Sequence, residues 1–140
     1  MSETMGSGTL AFMGDAVYEL LVRERLIRSG ITDSDRLHFK TVYYVRAESQ
    51  AYAVKKLLEG FLSEEEVEIV KKARNHKMPN RSRSAGMVEY KLATGLEALV
   101  GKLYLDENKM RLEEVMTKTI ELLDEKASEE TQKEAKTQEE

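Results

Sequence analysis

Apolar residues at helical spacing recur along this chain from Leu10 onward, and its single proline, Pro79, stands in one short polar stretch. Alternating apolar and polar runs are missing, as are hairpin dipeptides such as Asn-Gly, so the pattern predicts an all-α fold. Ser7 or Thr9 is placed to cap a first helix ending near Ser29, with Gly30 suited to the left-handed residue beyond it. Leu10, Met13, Val17, Leu20, Leu21 and Ile27 form its apolar stripe, and Ala16 falls within it. Asp33 or Ser34 caps a second segment in which Val42, Val45, Tyr52, Val54, Leu57 and Leu58 keep helical spacing. Its piece KTVYYV alone reads as a strand, but no turn signal follows it, so one continuous helix is expected. Ser63 and Glu66 make a capping box, and Glu64, Glu65 and Glu66 suit the positive end of a helix dipole. NHKMPNRSRSAG reads as a loop. A further helix spans about residues 87–105, and Asn108 caps a last one to about residue 126.

Composition bounds what such a helical chain can be. Its 140 residues, 41% apolar and 34% charged, suit one domain, placed at residues 9–126 after a flexible 1–8. The stretch ASEETQKEAKTQEE, residues 127–140, has no large apolar side chain and holds five Glu and two Lys. It is expected to be a disordered acidic tail, and it accounts for −3 of the net charge of −4. Without cysteine there is no disulfide framework, no thiolate nucleophile and no Cys-based zinc site. The opening MSETMGSG has neither a basic nor an apolar signal region, and no apolar run approaches a membrane span. A soluble, cytoplasmic protein is expected.

Three features stand apart from packing. Asp15 is a short carboxylate at the edge of an apolar stripe, where a long Glu or Lys would have better helix propensity and keep its charge in water. Glu97 is similar: it shares a face with Thr94, Ala98 and Gly101, and Gly95 and Gly101 each cost about 1 kcal/mol in a helix unless something approaches closely. Two such acids brought together by the fold suit a divalent cation with oxygen ligands; two partly buried acids satisfied by Arg or backbone donors is the alternative. Third, KKARNHKMPNRSR, residues 71–83, carries six Lys or Arg, one His and no acid in an acidic chain. Such a patch suits phosphate contacts, or simply a solubilising loop with cations at a helix C-terminus.

A resemblance then selects among these readings. LAFMGDAVYELLVRERL is similar to the ribonuclease III signature, approximately N-E-R-L-E-F-L-G-D-A/S-V, with Leu10, Gly14, Asp15, Ala16 and Val17 matching in place. ATGLEALVGKLYLD resembles that family's second element, approximately D-x-x-E-A-x-x-G-x-x-Y-L-D, through Glu97, Ala98, Gly101, Tyr104, Leu105 and Asp106. The compact branch without a double-stranded-RNA-binding domain, Mini-ribonuclease III, is more similar still. Its G-D-A-x-x-E, K-x-x-x-Y-V, R-N-x-K and A-T-G-x-E-A-L-x-G patterns are met at residues 14–19, 40–45, 74–77 and 93–101. Departures from the full-length signature are specific: Gly8 and Ala11 stand where two Glu precede the signature Asp, and Thr94 stands where an Asp precedes the second-element Glu.

The resemblance implies a homodimeric, ribonuclease III-like endonuclease domain that cuts double-stranded RNA with Mg²⁺, or Mn²⁺ as a substitute. Asp15 and Glu97 would be the metal ligands and catalytic acids, with Glu19 and Thr94 as outer-shell candidates. His38 and His76 are then not needed as catalysts, although His76 lies in the basic stretch. Arg74, Asn75, Lys77, Arg81 and Arg83 are the candidates for RNA contact, standing in for the missing binding domain. In this branch the substrate is typically the stem of 23S ribosomal RNA precursor, sometimes with a ribosomal protein bound, which implies a role in ribosome biogenesis. The alternative is a non-catalytic RNA-binding dimer of a ribonucleoprotein: the missing acids at Gly8 and Ala11 favour it, and the retained pair of Asp15 and Glu97 favours the enzyme.

Overall fold

A computed structural model describes residues 4–76 and 86–139. The described residues form helices and no strand: α1 (Ser7–Arg28), α2 (Ser34–Val45), α3 (Ala47–Leu57), α4 (Glu64–Arg74), α5 (Met87–Leu105) and α6 (Lys109–Glu139). Among them no helix is long and apolar enough to cross a membrane.

The most apolar of these helices, α5, lies at the centre. Leu92, Leu96, Leu99, Val100 and Leu103 are buried, together with Ala93, Gly95, Ala98 and Gly101, so α5 is covered on nearly all sides, as a helix apolar around its circumference must be. It packs mainly on α1, then on α3 and α4. Each fully buried Leu or Val contributes about 1.5–3 kcal/mol relative to exposure. The close approaches expected of its glycines are made within the monomer. A Cβ on Gly101 would lie 2.0 Å from the Leu10 carbonyl oxygen of α1, and one on Gly95 would lie 2.9 Å from that of Val70 in α4.

The same contact corrects the expected stripe of α1. Leu20 and Ile27 are each 58% exposed, and Ala16 is exposed as well. The buried side is Ser7, Leu10, Ala11, Gly14, Val17, Tyr18, Val22 and Leu26. Small residues face α5 because the two backbones touch there, so a stripe drawn through the large apolar residues is rotated away from the core. Neither Ser7 nor Thr9 caps the helix: Gly6 holds the N-cap position without a side-chain bond, and Ser7 and Gly8 are already helical. Gly30 closes it with φ +103°, as expected of a residue without Cβ.

Residues 34–58 form two helices instead of one. Asp33 caps α2 by accepting from the Arg36 N–H at 3.0 Å, and the KTVYYV piece is helical. Arg46, at φ −65° and ψ 151°, then breaks the ladder. No Gly or Pro is required, because side chains take the carbonyls that the break frees: the Tyr18 hydroxyl donates to Tyr44 O at 2.7 Å, and Gln50 Nε2 donates to Val45 O at 2.8 Å. Side chains inserted into a helix ladder are a recognised cause of kinks.

The capping box of α4 forms as expected, with Ser63 N–H donating to Glu66 Oε1 at 2.8 Å and Glu66 N–H to Ser63 Oγ at 3.2 Å. Asn108 Oδ1 accepts from Arg111 N–H at 3.3 Å at the start of α6. The tail read as disordered continues α6 to Glu139, with residues 128–138 exposed. Ala, Glu, Lys and Gln exclude a core but are strong helix formers, so the segment is a solvated helix that buries nothing.

Candidate active site

Gly14 and Glu97 define where α1 and α5 cross. A Cβ on Gly14 would fall 1.6 Å from the Glu97 carbonyl oxygen and 2.9 Å from Gly101 N, so the two backbones are in direct contact. The residue next to Gly14 is Asp15, and its carboxyl comes beside that of Glu97 although 82 positions separate them in sequence. Asp15, Thr94 and Glu97 share one surface hollow of about 430 Å³, which Gly8, Ala11, Phe12, His76 and Tyr90 also line.

The electrostatics of the pair are those of an incomplete site. Burial pushes the Glu97 carboxyl up to about 8, and its hydrogen bond and repulsion with Asp15 add to this, while a hydrogen bond from Gln50 acts in the opposite direction. A buried acid beside a second acid is stabilised by a proton or by a cation placed between them. Two carboxylates with room for water match the donor set of Mg²⁺, which keeps several of its own waters. Among the described residues no cluster of three or more His, Cys, Asp and Glu could hold a metal. The residues present fit such an ion.

The other candidates separate into near and far. Thr94 lines the hollow, with its hydroxyl donating to Tyr90 O at 2.9 Å, so the oxygen is left as an acceptor. Glu19 is paired with Arg23 at 2.9 Å on the outer side of α1 and does not line the hollow. Arg74 ends α4 and donates from Nε to Asn75 Oδ1 at 3.3 Å; the two lie two residues and one residue, respectively, before the His76 that lines the hollow. Lys77, Arg81 and Arg83 lie outside the described residues. At Gly8, where full-length enzymes carry a Glu, a Cβ would meet only His76 Nε2 at 3.8 Å. Sequence reasoning gave no place in the site to Gln50 or Tyr90. Tyr90 had no signal beyond its position one turn before Thr94.

Residues 8–108 match the Ribonuclease III domain family. The chain belongs to that family. Its ribonuclease III kinship is with the compact branch: it is 38% identical over 122 residues to Mini-ribonuclease 3 of Clostridium tetani, covering 86% of this chain and 80% of that protein. It is 40% identical over 113 residues to Mini-ribonuclease 3 of Streptococcus pneumoniae, covering 80% and 88%. A crystal structure of a Fusobacterium nucleatum protein superposes with a TM-score of 0.72 at 32% identity, over 85% of this chain and 94% of that one. The ribonuclease III motifs around Asp15 and Glu97 are the two segments that touch at the crossing of α1 and α5.

Proposed function

We propose that this endoribonuclease of the ribonuclease III type cleaves double-stranded RNA at the hollow between α1 and α5, with Asp15 and Glu97 holding Mg²⁺, or Mn²⁺ in its place. The observation that carries the reading is a half-buried carboxyl set against a second carboxyl where two helices meet backbone to backbone. When bound, the cation supplies Lewis-acid stabilisation of the charge that develops on the scissile phosphate. Asp15 and Glu97 fix the position of that charge, and the Thr94 oxygen accepts a hydrogen bond from water in the hollow. Arg74, Asn75, Lys77, Arg81 and Arg83 contact phosphates of an A-form duplex, which is read mainly by shape.

A single hollow cuts one strand, so cutting both strands of a duplex takes two copies. Phe12, 82% exposed, lies with Ala16, Leu20 and Ile27 along the outer side of α1, and an apolar stripe left in water marks an association surface. The homodimer is proposed to form through this stripe. Kinship with Mini-ribonuclease 3 makes the stem of 23S ribosomal RNA precursor the proposed substrate, alone or with a ribosomal protein bound.

The test is cleavage of an end-labelled RNA duplex by the wild type and by Asp15→Asn, each with Mg²⁺ and with EDTA. Staggered cuts that require Mg²⁺ and fall at least about 1,000-fold in the variant, the scale of a lost transition-state interaction of ~4 kcal/mol, are expected. Equal, salt-sensitive duplex binding by both proteins with cleavage by neither would instead mean a fold that keeps its RNA surface without chemistry.

A further inference from the structure

His76 is the one nitrogen-bearing side chain among those that line the hollow, and the chemistry above leaves it unused. Its backbone is anchored. The His76 N–H donates to Ala73 O at 3.1 Å just past the end of α4, and Ala73, 2% exposed, packs with Leu10 and Ala11 of α1 and Ala98 of α5. The close of α4 is thereby pinned to the two helices that carry the acids. The exposed imidazole stands over Gly8, where an added Cβ would lie 3.8 Å from Nε2.

Gly8 precedes Asp15 by seven residues, about 10 Å along α1, which is several times the ~2 Å reach of a Mg²⁺ ligand. In keeping with that spacing, His76 joins Asp15 and Glu97 in no cluster among the described residues that could hold a metal. Its place suits the substrate instead. Two carboxylates balance a divalent cation, so a phosphodiester drawn to the site brings a negative charge without a counterpart, and that charge grows in the transition state of hydrolysis. The Thr94 hydroxyl is already given to Tyr90 O. An imidazole meets the need in either protonation state, because the neutral ring keeps one N–H donor. Gly8 and Ala11, which line the same hollow, put nothing longer than a methyl group beside it.

We propose that His76 is a catalytic residue of the phosphodiester cleavage: its imidazole donates to a non-bridging oxygen of the scissile phosphate, on the Gly8 side of the hollow, and that bond strengthens as charge develops. The inference rests on the two-carboxylate reading of the site. It also gives the departure at Gly8 a function, since a Glu there would start 3.8 Å from Nε2 and compete with the substrate for the ring.

The experiment has two arms. Single-turnover cleavage of an RNA duplex in Mg²⁺ compares wild type, His76→Ala, His38→Ala and Asp15→Asn, on a natural cut site and on sites where sulfur replaces one or the other non-bridging oxygen. His76→Ala is expected to lose about 10–100-fold in the cleavage rate at saturating protein, less than an enclosed oxyanion donor because the ring is exposed, with its unfolding temperature unchanged; His38→Ala should cleave as the wild type does. At one sulfur position the wild type should be slowed more than His76→Ala, since groups in contact are coupled. In the second arm, imidazole ¹H–¹⁵N correlations are followed in Asp15→Asn, which is expected to bind duplex without cutting it. The chain has two histidines, and on saturation with duplex the His76 signals should shift while those of His38, in α2, stay in place. Wild-type cleavage by His76→Ala, equal sulfur effects in the two proteins, or His76 signals that do not move overturn the assignment. If Asp15→Asn cleaves as the wild type does, the two-carboxylate site falls, and the inference falls with it.

Discussion

Without a Cβ at residue 14, the α1 backbone rests against the Glu97 carbonyl, and that contact places Asp15 beside Glu97. A methyl group there would lie 1.6 Å from a backbone oxygen, which no side-chain adjustment can relieve, so the helices must separate. Gly14→Ala is expected to lower the unfolding free energy by about 3 kcal/mol, the upper part of the range for overpacking. It should lower duplex cleavage about 100-fold where the protein stays folded, because displacements near 1 Å cost that much in oriented catalysis. Urea unfolding and a cleavage assay measure the two effects separately. At this scale the sequence was partly legible: Asp15 and Glu97 each stood out as short or glycine-flanked acids on helical faces. Their conjunction was not legible from spacing, since it depends on a backbone contact between segments 82 positions apart, and only the motif resemblance paired them. Gln50 carried no signal, because an amide in a polar, helical stretch looks like surface.

Helix existence followed from periodicity and caps, while helix boundaries depended on partners that periodicity does not report. Ser63 with Glu66, Asp33 and Asn108 were readable because each cap is local. The break at Arg46 was not, because the groups that stabilise it come from α1 and from the next helix. The junction of α4 and α6 is also set by a distant pair. Arg111 Nη2 and Nε donate to Glu66 Oε1 and Oε2 at 2.8 and 2.9 Å, Nη2 also donates to Phe61 O at 2.9 Å, and the guanidinium lies 4.8 Å from the Phe61 ring centroid. The Arg111 hydrogen bond holds the Glu66 carboxyl below its ordinary value of 4.5. A carboxyl depressed in the folded state adds stability that is present above its ordinary value and is lost as pH falls through the folded value. Arg111→Met should therefore cost about 3 kcal/mol at pH 7, the low end for a broken buried pair, because Arg111 remains 22% exposed. Urea midpoints of variant and wild type should converge under acid conditions; a gap that stays constant from pH 7 to pH 3 would assign the loss to packing on Phe61 instead.

For the whole molecule, the inner side of α1 builds the monomer, and its exposed outer stripe is the surface proposed above to meet a second copy. The rotation of the stripe has the same physical origin: small residues seal the contact with α5, and Phe12, Leu20 and Ile27 are turned to solvent. Leu20→Asp places a charge in that outer stripe without touching the core, so sedimentation should report a monomer with unchanged helical content; a dimer that persists would move the interface elsewhere. The family and the all-α class were legible in the sequence, whereas the helical continuation through residue 139 was not, because composition reports what a segment can bury and not whether it is helical. The central claim is that Asp15 and Glu97 act as one site across the crossing of α1 and α5. The measurement that tests it most directly is a cycle of Asp15→Asn, Glu97→Gln and the double variant, read as single-turnover cleavage of an RNA duplex at saturating Mg²⁺. Residues that act as a unit are non-additive, so each single variant should lose nearly as much activity as the double. Losses that multiply, or a Glu97→Gln variant that cleaves at the wild-type rate, would contradict the account.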